Sequence, residues 1–284
     1  MNAPPNRRRP RRIGWRAARR CVLVVALVLA AWMTAPAEAQ GPVLPDRERF
    51  HLFLLAGQSN MAGRGDVSPT DREPHPRVLM LTRDGTWAPA VDPMHFDKPD
   101  IVGVGPGRAF GLAIAEAIPD ITVGLIPAAV GGSPIDAWQP GAYYPPTKSH
   151  PWDDALRRAR QAARVGTLQG ILWHQGESDA KAELAAEYAG KLHALVARWR
   201  SALGTPTLPF IAGRLGRFEG QPWDAPREAI DAAHRALPDV VPHTACVSAD
   251  GLTHKGDGVH FDAASARELG RRYADAYLAL TKGR

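Results

Sequence analysis

Residues 53–61 read FLLAGQSNM. An apolar run ends at Ala56, and Gly57, Gln58, Ser59 and Asn60 come directly after it. A short apolar run closed by glycine and polar residues is the pattern of a buried strand. In sheets of α/β proteins, chemistry collects at the carboxyl ends of the strands. Ser59 therefore stands at the end of the first strand, either as a nucleophile or as the cap of the next helix. Gly57 allows close backbone approach. There is no G-x-S-x-G, so the sharp nucleophile elbow of the α/β-hydrolases is not expected.

Strands are expected at 50–56, 78–82, 121–127, 169–174, 208–212 and 240–247. Helical patterns lie between them at 106–118, 152–165, 181–203, 224–237 and 262–281. In 181–203, Leu184, Tyr188, Leu192, Leu195 and Trp199 fall three or four residues apart, one apolar face at helical period. Alternating strands and helices predict a mainly parallel sheet covered on both faces, a three-layer α/β/α sandwich. The Pro/Gly-rich stretches 64–76, 83–106 and 139–151 then become long loops, which tend to border sites.

The chain of 284 residues opens on a segment of different character. Residues 7–20 hold eight arginines and no acid, 21–33 are continuously apolar, and Ala37-Glu38-Ala39 offers a small-residue cleavage site. That order is the pattern of a secretory signal peptide. The apolar run is shorter than the roughly 20 residues that span a bilayer. Residues 1–39 are thus expected to be removed after Ala39. Residues 40–284 are expected to form one domain, secreted or periplasmic, with no stable membrane association. Arg19-Arg20 leave Sec and twin-arginine export both open.

Removing that segment changes the charge argument. It carries eight arginines and one glutamate, so the full chain's +6 becomes about −1. The basic balance belongs to the leader and gives no reason to expect nucleic acid. Cys21 leaves with the leader and Cys246 alone remains, so no internal disulfide is expected.

A nucleophilic serine needs a base, and the base an orienting group. His260 lies in KGDGVHFD, three residues after Asp257 and just before a helix that Asp262 can cap. That spacing lets the carboxylate turn back onto the imidazole. His254 in DGLTH competes for the role. The run ILWHQGESDA (171–180) ends a strand in His174, Gln175, Gly176 and Glu177. Gln175 can donate a side-chain N–H to an oxyanion. Glu177 can begin a helix or pair with another acid in glycosidase chemistry. In LIPAAVGGSPIDAW (125–138), Gly131 and Gly132 can offer a backbone N–H to an oxyanion. No zinc motif and no phosphate-binding loop is present, so neither metal nor cofactor is expected.

The blocks GQSNMAGRG (57–65), GLIPAAVGGSPIDAWQPG (124–141), LWHQGESDA (172–180) and DGVHFD (257–262), in this order, resemble the sialate O-acetylesterase and acetylxylan esterase domain family of the SGNH hydrolase superfamily. The resemblance spans roughly residues 50–280. It implies a flavodoxin-like three-layer fold with Ser59 as nucleophile, His260 as base and Asp257 as its partner. It implies an oxyanion hole of the Ser59 N–H, a glycine N–H (Gly132, with Gly131 close behind) and the Gln175 amide. Asn60 and Glu177 would buttress the site, and Trp138 would either wall the pocket or sit in the core. The implied reaction removes O-acetyl groups from a carbohydrate, on acetylxylan or a related polysaccharide. O-acetyl sialic acid is the alternative substrate, and a non-catalytic sugar-binding module the alternative role.

Overall fold

The computed structural model describes Met1 and residues 41–282. The expected leader lies outside the described residues. The elements run β1 (Phe50–Gly57), α1 (Ser59–Ala62), β2 (Val78–Leu81), β3 (Trp87–Pro89), α2 (Pro106–Ala117), β4 (Thr122–Pro127) and α3 (Pro151–Ala162). They continue with β5 (Thr167–His174), α4 (Ala182–Leu203), β6 (Phe210–Gly213), α5 (Ala225–Val240), β7 (Thr244–Val247) and α6 (Ala263–Thr281). The seven strands form one sheet in the order β3-β2-β4-β1-β5-β6-β7. Every pairing is parallel except the edge pair β2–β3.

β1 sits at the middle of the sheet, and its alternation builds two cores. Phe50, Leu52, Leu54 and Ala56 face one way, into a layer with Trp152 of α3, Leu192 and Trp199 of α4, and Ile230 of α5. Phe53 and Leu55 face the other way, against Phe110 and Ile114 of α2 and Tyr273 and Tyr277 of α6. Both faces of the central strand are thus apolar, as period-two geometry requires of a strand covered twice. Each such buried Leu or Phe contributes about 1.5–3 kcal/mol. This is the three-layer α/β/α sandwich expected. Within it β4 lies between β1 and β2, whereas flavodoxin order would set β2 beside β1.

Three boundaries differ from the sequence reading. β3 lies inside the expected loop 83–106, as a three-residue antiparallel edge too short to show a pattern. The final strand begins at Thr244, not 240. α5 continues through Pro238 to Val240, closed by Val241 N–H on the Leu237 carbonyl, and His243 at φ 57° turns the chain into β7. The helix that Ser59 could have capped is the short α1, which covers residues 59–62 and includes Ser59 itself. No helix among the described residues is long and apolar enough to cross a membrane.

β1 ends between β4 and β5, at the carboxyl edge where α/β sheets hold ligands. Gly57 adopts φ +126°, and a Cβ there would lie 2.2 Å from the His174 carbonyl oxygen. Only glycine lets β1 pass β5 this closely and turn into α1.

Candidate active site

Ser59 is the first residue of α1 and is 6% exposed. It is not a cap, because Gln58 holds that position and accepts the Met61 and Ala62 N–H groups at its carbonyl. The Ser59 hydroxyl is free for another partner. His260 Nε2 lies 3.0 Å from Ser59 Oγ, and His260 Nδ1 lies 2.7 Å from Asp257 Oδ2. Burial alone would raise the Asp257 pKa. The His260 amide and ring and the Val259 amide outweigh it and hold the carboxyl at about 2. A carboxylate held ionised beside Nδ1 keeps the proton there and leaves Nε2 as the acceptor toward the serine.

The loop that carries His260 is closed on itself. Asp262 caps α6 by accepting Ser265 N–H at 2.8 Å, and its own N–H bonds the Thr253 carbonyl. His254, the competing base candidate, is spent inside this loop. Its Nδ1 accepts the Gly256 and Gly258 N–H groups at 2.9 and 3.0 Å.

Asn60 ties this loop to α1. Its Nδ2 donates to the Val259 carbonyl at 3.1 Å and to Glu177 Oε1 at 2.6 Å, and its Oδ1 accepts Phe261 N–H at 3.1 Å. Burial raises the Glu177 pKa, offset in part by the Asn60 hydrogen bond and the nearby His260. Glu177 Oε2 is buried without a partner, and His174 Nε2 lies 3.9 Å from Oε1. Burial lowers the His174 pKa to about 3, so its ring stays neutral.

The glycine pair is resolved by its hydrogen bonds. Gly131 N–H donates to Asp97 Oδ2 at 2.8 Å. Neither the Gly132 N–H nor the Ser59 N–H has an acceptor among the described residues. Gly132 adopts φ +84°, and a Cβ there would meet the Tyr144 hydroxyl at 2.9 Å. Asp97 Oδ2 also takes Arg64 Nη2 at 2.8 Å, with both side chains almost fully buried. This ion pair fastens the turn at Gly131 to the end of α1, a link that spacing in the sequence gives no sign of.

Two expected site residues are not brought to the opening. Gln175 is completely buried. Its Nε2 donates to Asp179 Oδ2, to the Ser133 carbonyl at 3.2 Å and to Gln58 Oε1 at 3.2 Å. Its Oε1 accepts the Tyr188 hydroxyl at 2.9 Å. An amide nitrogen has two hydrogens, and both are engaged here, so none is left for an oxyanion. Trp138 is also fully buried, packed edge-on against Trp173 at 5.1 Å, with Nε1 donating to Ser133 Oγ. It is a core residue under the glycine turn rather than a pocket wall.

The structure therefore brings together Ser59, His260, Asp257, Asn60, Glu177 and Gly132, and sets Gln175 and Trp138 behind them. Among the described residues no group of side chains could hold a metal ion.

The family model described as carbohydrate esterase, sialic acid-specific acetylesterase matches residues 49–279. A probable carbohydrate esterase of Arabidopsis thaliana is 33% identical over 261 residues, 85% of this chain and 94% of that protein. The X-ray structure of an Arabidopsis thaliana protein superposes with a TM-score of 0.72 at 29% identity, covering 83% of this chain and 99% of that one. NanS shares the fold, with a TM-score of 0.65 at 19% identity over 85% of this chain and all of its own (100%). A carbohydrate acetylesterase from Xanthomonas citri also shares it, with a TM-score of 0.62 at 19% identity over 82% of this chain and 57% of its own. With a match across nearly all the described residues, the chain belongs to the sialic acid-specific acetylesterase family of carbohydrate esterases.

Proposed function

We propose that this carbohydrate esterase is an exported serine enzyme that removes O-acetyl groups from acetylxylan or a related polysaccharide. The observation that carries the reading is the chain of contacts from Ser59 Oγ to His260 Nε2, 3.0 Å, and from His260 Nδ1 to Asp257, 2.7 Å. Ser59 Oγ attacks the acetyl carbonyl carbon while His260 Nε2 takes its proton. The oxyanion is met by the Ser59 and Gly132 N–H groups, both without protein acceptors. The C–O bond to the sugar breaks, and His260 returns the proton to the leaving hydroxyl. Water, deprotonated by His260, then attacks the acetyl-enzyme, and acetate departs as His260 returns the proton to Ser59 Oγ. The reading uses no cofactor. It takes residues 1–39 as a leader cut after Ala39 and 40–284 as the single esterase domain.

Ser59→Ala is expected to lower kcat on an aryl acetate by about 10³-fold or more. Turnover near that of the wild type in the purified variant would end the proposal.

A second substrate, O-acetyl sialic acid, is favoured by one observation. A cavity of about 280 Å³ between the ends of β2 and β4 is lined in part by Arg83, Lys148 and Val130. Val130 is bonded to Gly57, two residues before Ser59. The Lys98 ammonium stands 3.9 Å from the Cβ position of Gly132. Lys98, Lys148 and Arg83 have no ion-pair partner among the described residues. Of the charges lining the cavity, Asp97 and Asp154 are paired with Arg64 and Arg157, which leaves Arg83 and Lys148 among the unpaired cations there, and these favour an anionic sugar. Acetate release measured on acetylated xylan, acetylated pectin and O-acetyl sialic acid separates the two. The glycosidase reading of Glu177 is not favoured, since Oε1 is taken by Asn60 and neighbouring Asp179 is buried and bonded to Gln175.

A further inference from the structure

We propose that the side chain of Gln58 supplies the third hydrogen bond to the oxyanion, and that Gln175 acts through it as a positioning residue. The proposal rests on the serine-esterase reading above, with Ser59 as nucleophile.

Gln58 immediately precedes Ser59 and is only 3% exposed. Its Oε1 faces three N–H donors: Gln175 Nε2 at 3.2 Å, Ser178 N at 3.3 Å and Gly176 N at 3.5 Å. Donors on one side of an amide decide which end is oxygen, because the reversed amide would set N–H against N–H. The nitrogen end must therefore point away from them. It has no acceptor among the described residues, although almost all of the residue is buried. The nitrogen is not among the buried side-chain atoms left without a partner, so the small exposed part of Gln58 includes it, where a bound molecule can reach its N–H groups.

The place where Gln58 sits is bounded by the proposed reaction. Ser178, whose N–H touches Gln58 Oε1, donates its own hydroxyl to the Gly132 carbonyl at 2.9 Å. Ser178 thus links the Gln58 amide oxygen to the turn at Gly132, and Gln58 adjoins Ser59 in the chain, so the amide is tethered to both residues whose N–H groups are proposed to meet the oxyanion. A preorganised donor in a water-poor site stabilises developing negative charge without reorganising.

Gln175 has the complementary role. Its nitrogen faces Asp179 Oδ2, the Ser133 carbonyl and Gln58 Oε1, three acceptors sharing two hydrogens, and Tyr188 fixes its oxygen. What remains in reach of the site is its contact with Gln58 Oε1. The buried acid–amide–amide row Asp179, Gln175, Gln58 holds the Gln58 nitrogen in place.

The test is a double-mutant cycle on an aryl acetate, with Ser59→Ala measured in parallel. Gln58→Ala and Gln58→Glu are each expected to lower kcat by about 10²–10³-fold with KM within about threefold of the wild type. Gln58→Glu keeps an oxygen facing the three N–H donors, so it decides the matter if Gln58→Ala unfolds. Gln175→Ala is expected to lower kcat in the wild type, yet by less than about threefold in the Gln58→Ala or Gln58→Glu background. Retention of kcat within about threefold in folded Gln58→Glu would overturn the proposal. So would an equal loss from Gln175→Ala with and without Gln58. Wild-type turnover in Ser59→Ala would instead remove the reading beneath it.

Discussion

Asn60 brackets His260: its side chain accepts the N–H of the residue after the histidine and donates to the carbonyl of the residue before it, both at 3.1 Å. Asn60 itself comes directly after Ser59 in α1. One amide thus sets the distance between two residues 201 positions apart in the chain. Asn60→Ala removes both grips and leaves Lys255 Nζ on the Arg64 carbonyl and the His260–Ser59 contact itself as the loop's hydrogen bonds to the chain just after β1. A displacement on the order of 1 Å at a reacting group can cost about 10²-fold. The variant is expected to lose about 10- to 100-fold in kcat on an aryl acetate with little change in KM. Thermal unfolding measured alongside separates this from global loss of structure.

Arg64 and Asp97 form a buried pair whose acid also holds Gly131 N–H. Breaking a buried ion pair from one side costs about 3–5 kcal/mol. Arg64→Ala is therefore expected to lower the unfolding free energy by about that amount in urea titration. Asp97→Asn keeps an acceptor for Gly131 and is expected to retain more activity than Asp97→Ala.

Glu177 is an acid whose pKa burial raises in the folded state. A raised carboxyl pKa means the folded protein binds the proton more tightly than the unfolded chain. The contribution to stability is therefore full below the unfolded pKa and is lost as pH rises through the folded one. Glu177→Gln keeps an oxygen for Asn60 Nδ2 and removes the titration. Its Tm is expected to gain on that of the wild type as pH rises from about 4 to 7. A constant difference in Tm across that range would contradict the assignment. Asp257 behaves in the opposite sense. Its pKa is depressed to about 2, so its contribution is present above the unfolded value and is lost as pH falls through 2.

Trp138 separates a core role from a pocket role. Trp138→Phe keeps an aromatic ring against Trp173 and loses the hydrogen bond to Ser133 Oγ. It is expected to lower stability by about 1–3 kcal/mol and leave KM on small acetates within about threefold. A large rise in KM with unchanged stability would restore the pocket wall.

Locality decides how much of the molecule is legible in its sequence. β1, with seven of its eight residues buried, announces itself as an apolar run. The contact Asp257–His260 is visible because the partners are three positions apart in one loop. The cap at Asp262 is visible for the same reason. The roles of Gln58 and Gly131 are not, because each is decided by a partner more than 30 positions away, and Gln175 is decided by Asp179 and Tyr188 together with the distant Ser133 and Gln58. An amide in a motif shows that a donor exists and leaves open where its hydrogens go. Trp138 is hidden likewise, since a tryptophan in a loop motif suits a pocket wall and a core equally well until its ring is found against Trp173. β3 escapes because three residues carry no period.

The central claim is that Ser59 is the nucleophile activated by His260, and covalent labelling reaches it most directly. Wild-type protein and His260→Ala are treated with a fluorophosphonate, and the modified peptide is identified by mass spectrometry while esterase activity is monitored. One adduct per chain is expected, on Ser59, formed in step with loss of activity and slowed strongly in His260→Ala. Full loss of activity with the adduct on another residue would contradict it, as would an enzyme that stays active while Ser59 is modified.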